Sequence, residues 1–478
     1  MKRSLVKKGL NTLLLFGLGL SLQLSAQPEK DELTFGFIKL TDMAPLAVAL
    51  ERGYFEDEGL YVQLEAQSNW RVLQDRVIDG QLDGAHMLAG QVLASSIGIG
   101  VQAELQTSFI IGLNGNACTV SHSIWQQISS EVPRRADGRP DYPLAASVLT
   151  PALQQAAEQG RKLQFGMVFP VSSHNYELRY WLAASGIHPG FYDPASGDNS
   201  GQLHADVLLS VTPPPQMPAT MEAGTIQGYC VGEPWNQQAV ARNLGVPLVT
   251  NYDIHSNMAE KVFGVSRQWA EQHPKTHLKV VKALIRASHW LDAEQNANRQ
   301  AAARLIAQPF YVGADANIIA NSMTGVFEYE AGDVRQAPDF NVFFRYHASY
   351  PYYSDAVWYL SQMRRWGQIP QAQPDDWYQQ VAQRVFQPAI YQQAALALIA
   401  DGKLSASDFP DFNNETGYRP LDQVRFIDQQ SFDAKAPNAY LRQFAIGLSD
   451  DPMPQAQQAQ AHSTQAQNVQ SNNAGSQP

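Results

Sequence analysis

Few residues in this chain are of the kinds that perform covalent chemistry. There are two cysteines, Cys118 and Cys230. Either could be a nucleophile, pair with the other in a disulfide, or simply pack in an apolar strand, where cysteine is commonly found. The spacings His-Glu-x-x-His, Gly-x-Ser-x-Gly and the Walker-type loop are absent, so zinc-hydrolase, serine-hydrolase and nucleotide-phosphate chemistry have no anchor. The pairs Gly17/Gly19 and Gly98/Gly100 are fragments of a dinucleotide fingerprint without its strand and helix context. Two cysteines cannot make a disulfide scaffold or a four-cysteine zinc site. Binding is favoured over catalysis.

The elements that would position binding groups are readable from pattern. Leu33 to Ile38 reads as a strand, followed by a helix that Thr41 or Asp42 can cap, with Pro45 in its first turn and Gly53 at its end. Tyr61 to Leu64 is a second strand; Asn69 precedes a helix through Val77; Gly84 to Leu88 is a third strand leading into a helix near Gly90. A second set follows, with strands at Leu163 to Phe169, Val207 to Val211 and Ile226 to Val231 and a helix from His174 to Ser185 carrying Leu178, Trp181 and Leu182 on one stripe. The run Pro213-Pro214-Pro215 must be loop. Glu131 to Tyr142 and Asp193 to Gly201 read as insertions. Beyond Pro274 the pattern is helical, at His277 to Asp292, Ala301 to Ala307, Val357 to Trp366 and Asp376 to Ala400. The aromatic cluster from Phe343 to Tyr353 reads as packing. Such alternation predicts an α/β fold.

The chain has 478 residues, with 34 basic and 45 acidic side chains for a net charge of −11. Its length suggests two or three domains. The first 26 residues combine a basic start (Lys2, Arg3, Lys7, Lys8), an apolar run from Leu13 to Leu22 and small residues ending at Ala26. That is the pattern of a secretory signal peptide cleaved near Ala26, too short in its apolar run to anchor permanently. Neither a cysteine at the cleavage point nor a twin arginine is present. The remainder carries 30 basic against 45 acidic residues, net −15, which gives no general attraction for nucleic acid or anionic lipid. No later run is apolar enough to span a bilayer, so a soluble periplasmic protein is expected. From Pro452 to Pro478 there is no charged side chain and Gln, Ala, Asn and Ser dominate, so 451–478 is expected to be a disordered tail.

Six motifs occur in order: Phe35 to Leu46 (FGFIKLTDMAPL), Asp83 to Leu88 (DGAHML), Leu113 to Asn116 (LNGN), Leu178 to Ile187 (LRYWLAASGI), Pro213 to Met217 (PPPQM) and Val231 to Asn236 (VGEPWN). This ordered set resembles the nitrate- and bicarbonate-binding proteins of ABC-type uptake systems, from about Leu33 to about Ser288. The resemblance implies a two-lobed periplasmic-binding-protein fold, each lobe a mainly parallel sheet flanked by helices, with a helical C-terminal extension and an anion held between the lobes. Chain crossings would fall near Asn116 and Glu233. The expected organisation is a signal peptide at 1–26, the first part of lobe 1 at 27–117, lobe 2 at 118–232, the rest of lobe 1 and the helical part at 233–450, and the tail at 451–478.

The resemblance also implies a site. Trp70 matches a tryptophan whose indole N–H reaches the anion; Asn116 matches an amide that is commonly Gln; Gly112 matches a small residue beside it. His174 matches the family histidine, Pro214 and Val231 match wall residues, and Lys261 matches the lysine of nitrate binders, although Asn257-Met258 stands where the family has His-Pro. Nitrate offers three acceptors in a plane, so it needs convergent donors and one compensating charge. Trp70 and His174 are expected at helix N-termini, whose free N–H groups favour an anion and keep histidine neutral. His174 would then donate an N–H and Lys261 would carry the charge.

The bicarbonate branch has an acidic residue in place of Lys261 and uses it with calcium. Lysine cannot ligate a cation, so nitrate, or its relative nitrite, is the expected ligand, with no metal or cofactor. His86 stands where the family usually has Gln and reads as a structural variation. The expected partners are a separate membrane permease and ATPase. A nitrate sensor on the same fold conflicts with the signal peptide, and a thiamine-precursor enzyme branch would need a His- and Cys-rich iron motif that this sequence lacks.

Overall fold

The computed structural model describes residues 27–448 apart from 414, 421 and 422. The expected signal peptide and the tail from 451 lie outside the described residues. Two mixed sheets carry the fold. The first has six strands in the order Asn341–Val342, Leu105–Asn114, Ala259–Ser266, Gly84–Leu88, Glu32–Phe37, Tyr61–Ala66. The second has five, in the order Gly245–Thr250, Asn116–Ser121, Gly228–Gly232, Leu163–Met167, Val207–Val211.

Neither sheet is mainly parallel. In the first, Glu32–Phe37 pairs in parallel with Tyr61–Ala66 and with Gly84–Leu88, while Ala259–Ser266 is antiparallel to both of its neighbours. In the second, Leu163–Met167 is parallel to its two neighbours and Asn116–Ser121 is antiparallel to its own. The parallel strands arise from strand-helix-strand units. The antiparallel ones lie next to the places where the chain changes sheet, and reversal there needs no crossover helix. The expected end of the second unit at Gly232 falls short of its sheet. Gly245–Thr250 folds back on Asn116–Ser121, and the chain rejoins the first sheet only at Ala259.

The helices pack where the pattern puts them: Ala44–Glu51 with Pro45 in its first turn, Trp70–Ile78, Ala89–Ser96, Ser173–Ala184 and, beyond Pro274, Pro274–Asn296, Arg299–Ile306 and Tyr353–Arg365. The single expected helix from Asp376 to Ala400 is two, Asp375–Val385 and Pro388–Ala400, because Pro388 lacks the N–H that would continue the first. The expected insertion at Asp193 to Gly201 is mostly an antiparallel hairpin, Phe191–Asp193 with Asp198–Leu203. Leu105–Asn114 is buried at every position. At Gly90 a Cβ would lie 1.8 Å from the carbonyl oxygen of Val171, so only glycine lets the helix of the first sheet approach the segment after Leu163–Met167 of the second.

Candidate functional site

The C-terminal ends of the parallel strands face one another across the two sheets, the usual location of ligand sites in α/β folds. From the first sheet, Asp42 lies in the short turn Thr41–Met43 after Glu32–Phe37, and Trp70 follows Tyr61–Ala66. Lys261 stands opposite Leu88 and Gly112 in the register. From the second sheet come Asn116, opposite Gly232, and Ser173, His174 and Glu177 of the helix after Leu163–Met167.

Local chemistry fixes the two helix starts. Asn69 caps Trp70–Ile78 by accepting from the Val72 N–H at 3.0 Å, and Ser172 caps Ser173–Ala184 by accepting from the Asn175 N–H at 3.1 Å. Trp70 and His174 therefore both stand at helix N-termini, as expected. The Trp70 carbonyl accepts from Gln91 Nε2 at 3.0 Å, which holds the helix start against Ala89–Ser96.

Four of the sequence-derived residues converge. Trp70, Asn116, His174 and Lys261 are all at most 1% exposed. Lys261 Nζ is 5.5 Å from the Trp70 ring centroid. Asn116 Nδ2 reaches Ser173 Oγ at 3.4 Å, and the Cβ that Gly232 lacks would sit 3.3 Å from Asn116 Oδ1 and 3.6 Å from His174 Nε2. Trp70 Nε1, His174 Nε2 and Asn116 Oδ1 are buried and have no hydrogen-bond partner among the described residues. Gly112 lies across the strand pair from Lys261, and Val231 precedes Gly232 in its strand. Pro214 is buried at the end of the edge strand Val207–Val211, with Leu163–Met167 between that strand and Gly228–Gly232.

Lys261 is not a free positive charge. Its ammonium is 2.9 Å from Asp42 Oδ2 and also contacts the Glu260 carboxylate. One cation thus serves two carboxylates, neither of which was anticipated. Burial alone would raise the Asp42 carboxyl, but Lys261 and His86 hold it well below the usual range. Burial lowers the Lys261 ammonium, opposed by Asp42 and Glu177. His86 Nε2 lies 2.8 Å from Asp42 Oδ1, off hydrogen-bond alignment, and its Nδ1 accepts from the Ile38 N–H at 3.5 Å.

His174 is neutral for a different reason than the helix start: burial first, then the Lys261 charge, hold it well below the usual imidazole range. Its Nδ1 faces Ser173 Oγ at 3.3 Å and Glu260 Oε1 at 3.5 Å, while the Ser173 hydroxyl donates to Glu260. Two acceptors around Nδ1 favour the Nδ1–H tautomer, which leaves Nε2 as an acceptor toward Gly232 and reverses the expected donor. Burial pushes Glu177 up to about 7 and Glu233 up to about 8. Cys118 and Cys230 are free, buried and directly opposed across their strands, and the Cys230 thiol lies 4.0 Å from Glu177 Oε2.

Residues 26–307 match the family model described as NMT1-like. The chain belongs to the NMT1-like family. The chain is 34% identical over 424 residues to the nitrate import ATP-binding protein NrtC of Synechocystis sp., covering 87% of this chain and 56% of that protein. It is 31% identical over 425 residues to the bicarbonate transport ATP-binding protein CmpC of the same organism, with the same 87% and 56% coverage. The chain thus spans about half the length of both relatives. Its fold superposes on the crystal structure of the periplasmic nitrate-binding protein NrtA from Synechocystis PCC 6803 with a TM-score of 0.74 at 25% identity, covering 88% of this chain and all of that one. The resemblance read from the six motifs is borne out, and the fold is that of periplasmic binding proteins. No helix among the described residues is long and apolar enough to cross a membrane.

Proposed function

We propose that this protein is an extracytoplasmic solute-binding component that captures nitrate, or nitrite, between its two sheets and delivers it to an ABC-type permease and ATPase. The observation that carries the reading is Trp70 Nε1: a fully buried donor without an acceptor, beside a buried ammonium. A buried N–H is rarely left unpaired, and a small oxyanion would satisfy it while meeting Lys261 and the two helix N-termini. Trp70 and Lys261 are the proposed donors to the anion, with Asn116 and His174 beside them and Gly112, Pro214 and Val231 as walls. Lysine at 261, where the bicarbonate branch has an acidic residue, favours nitrate. The named NrtA neighbour and the signal-peptide pattern at 1–26 support the location and the partners.

One observation favours bicarbonate as a second reading. Asn116 Nδ2 is engaged by Glu177 and Glu260, so its carbonyl oxygen turns toward Gly232 beside His174 Nε2. Nitrate has no hydrogen to give those acceptors, and bicarbonate has one. A thermal-shift series on the mature chain with nitrate, nitrite, bicarbonate with and without calcium, and sulfonates decides between them. A ligand that binds only the folded form raises the midpoint with ln(1 + [L]/Kd). Nitrate is expected to give the largest rise; a shift with sulfonates alone would end both readings.

A further inference from the structure

Glu260 and Lys261 are consecutive in a strand, where neighbouring side chains ordinarily point to opposite faces. Here they meet. Ala259 stands opposite Leu113 and Lys261 opposite Gly112, so Glu260 is an extra residue without a cross-strand partner. Such a bulge re-aims a side chain, and it turns the Glu260 carboxylate into the same buried cluster as the Lys261 ammonium.

The groups that hold Glu260 are the ones a nitrate would want. Its carboxylate contacts Lys261 Nζ, accepts from the Ser173 hydroxyl, and accepts from Asn116 Nδ2 at 3.3 Å, with His174 Nδ1 at 3.5 Å. A carboxylate is itself a planar, delocalised oxyanion, so these donors already serve one. What remains toward Gly232 is Asn116 Oδ1 and the far nitrogen of His174. The indole N–H of Trp70 is also unclaimed.

We propose that Glu260 is a tethered occupant of the anion's donor set and thereby determines which anion the site accepts. With its carboxylate in place the ammonium, amide and hydroxyl are shared between Glu260 and the bound anion, which narrows the preference for nitrate over an oxyanion that brings its own O–H; with that charge removed, those donors are released to nitrate. This deepens the anion-binding reading above and rests on it.

The test is isothermal titration of the full mature chain, wild type, Glu260→Gln and Glu260→Ala, with nitrate and with bicarbonate in separate runs. Thermal melting identifies which variants fold. Glutamine keeps the shape and removes the charge; alanine removes both, and reads the same ratio if the glutamine variant is unstable. Each variant is expected to shift the affinity ratio toward nitrate by about tenfold or more, the size of one charged hydrogen bond. An unchanged ratio, weaker nitrate binding in a folded variant, or no binding by any form overturns the proposal. If the wild type binds nitrate and the variants match it, Glu260 is not the determinant and the nitrate reading stands. If only the variants bind nitrate, Glu260 is the determinant and the nitrate reading of the natural chain falls.

Discussion

Two buried charge clusters sit in this molecule and they are built differently. Around Asp292 and Arg299, three guanidinium nitrogens of Arg299 reach the carbonyls of Leu291, Met323 and Asn341 as well as Asp292 itself, and Asp292 Oδ2 accepts the backbone N–H groups of Phe343, Phe344 and Arg345 at 3.1, 2.7 and 2.9 Å. Around Lys261, one ammonium is shared by Asp42 and Glu260, and Trp70 Nε1, His174 Nε2 and Asn116 Oδ1 are left over. Burial and charge are common to both clusters. The difference lies in the unmet hydrogen-bonding capacity, which is the observation behind the anion site proposed at the second one.

That contrast can be broken experimentally, the largest effect coming from the saturated cluster. Asp292→Ala strands a buried guanidinium and three N–H groups, and should cost about 3–5 kcal/mol in denaturant unfolding while leaving anion affinity unchanged in the folded fraction. Lys261→Ala should abolish the anion-induced thermal shift and lower stability by about 3 kcal/mol, because two carboxylates lose their cation. Asn116 and Ser173 still hold Glu260, so the loss should not exceed that of Asp292→Ala.

Titration sharpens the comparison further. Glu177 titrates at about 7 in the fold against an ordinary 4.5, so the folded chain keeps a proton that the unfolded chain has lost between those values. Stability therefore falls as pH rises from 4.5 to 7, by up to about 3 kcal/mol. Glu177→Gln should flatten that slope, gaining stability at pH 8 relative to pH 4.5 when unfolding is followed across the range. Trp70→Phe removes one unpaired N–H and replaces the indole with a smaller phenyl ring. Calorimetry on the folded variant should show anion affinity reduced by about 1–2 kcal/mol. The smallest effect is expected at the surface: Arg242 and Glu222 pair at 2.8 Å with both side chains close to half exposed, and Arg242→Ala should move stability by less than about 0.5 kcal/mol.

Much of the fold was legible because its parallel units obey local rules: a cap at Asn69, a proline at Pro45, a glycine after each helix. Leu105–Asn114 and Ala259–Ser266 were not legible. A strand buried on both faces carries no alternation to detect. The same reason hid part of the site. Trp70, Asn116, His174 and Lys261 were reachable through the family resemblance, and the fold buries the four near one another. Asp42 stood inside a quoted motif but was read as a helix cap. Glu260 was hidden by the bulge, since period-two alternation assigns it to the face opposite Lys261. Nothing local announces a bulge of this kind; it exists because Leu113 and Gly112 are partners in a strand about 150 residues away.

The link between the sheets has a consequence of its own. Gly115, at φ 96°, is the single residue between Leu105–Asn114 of one sheet and Asn116–Ser121 of the other. Asn116 begins beside it, with its N–H held by Asn251 Oδ1 at 3.0 Å in the segment where the chain crosses back. Asn116 thus stands at the covalent junction of the two sheets, whereas Trp70 and His174 are carried one by each of them.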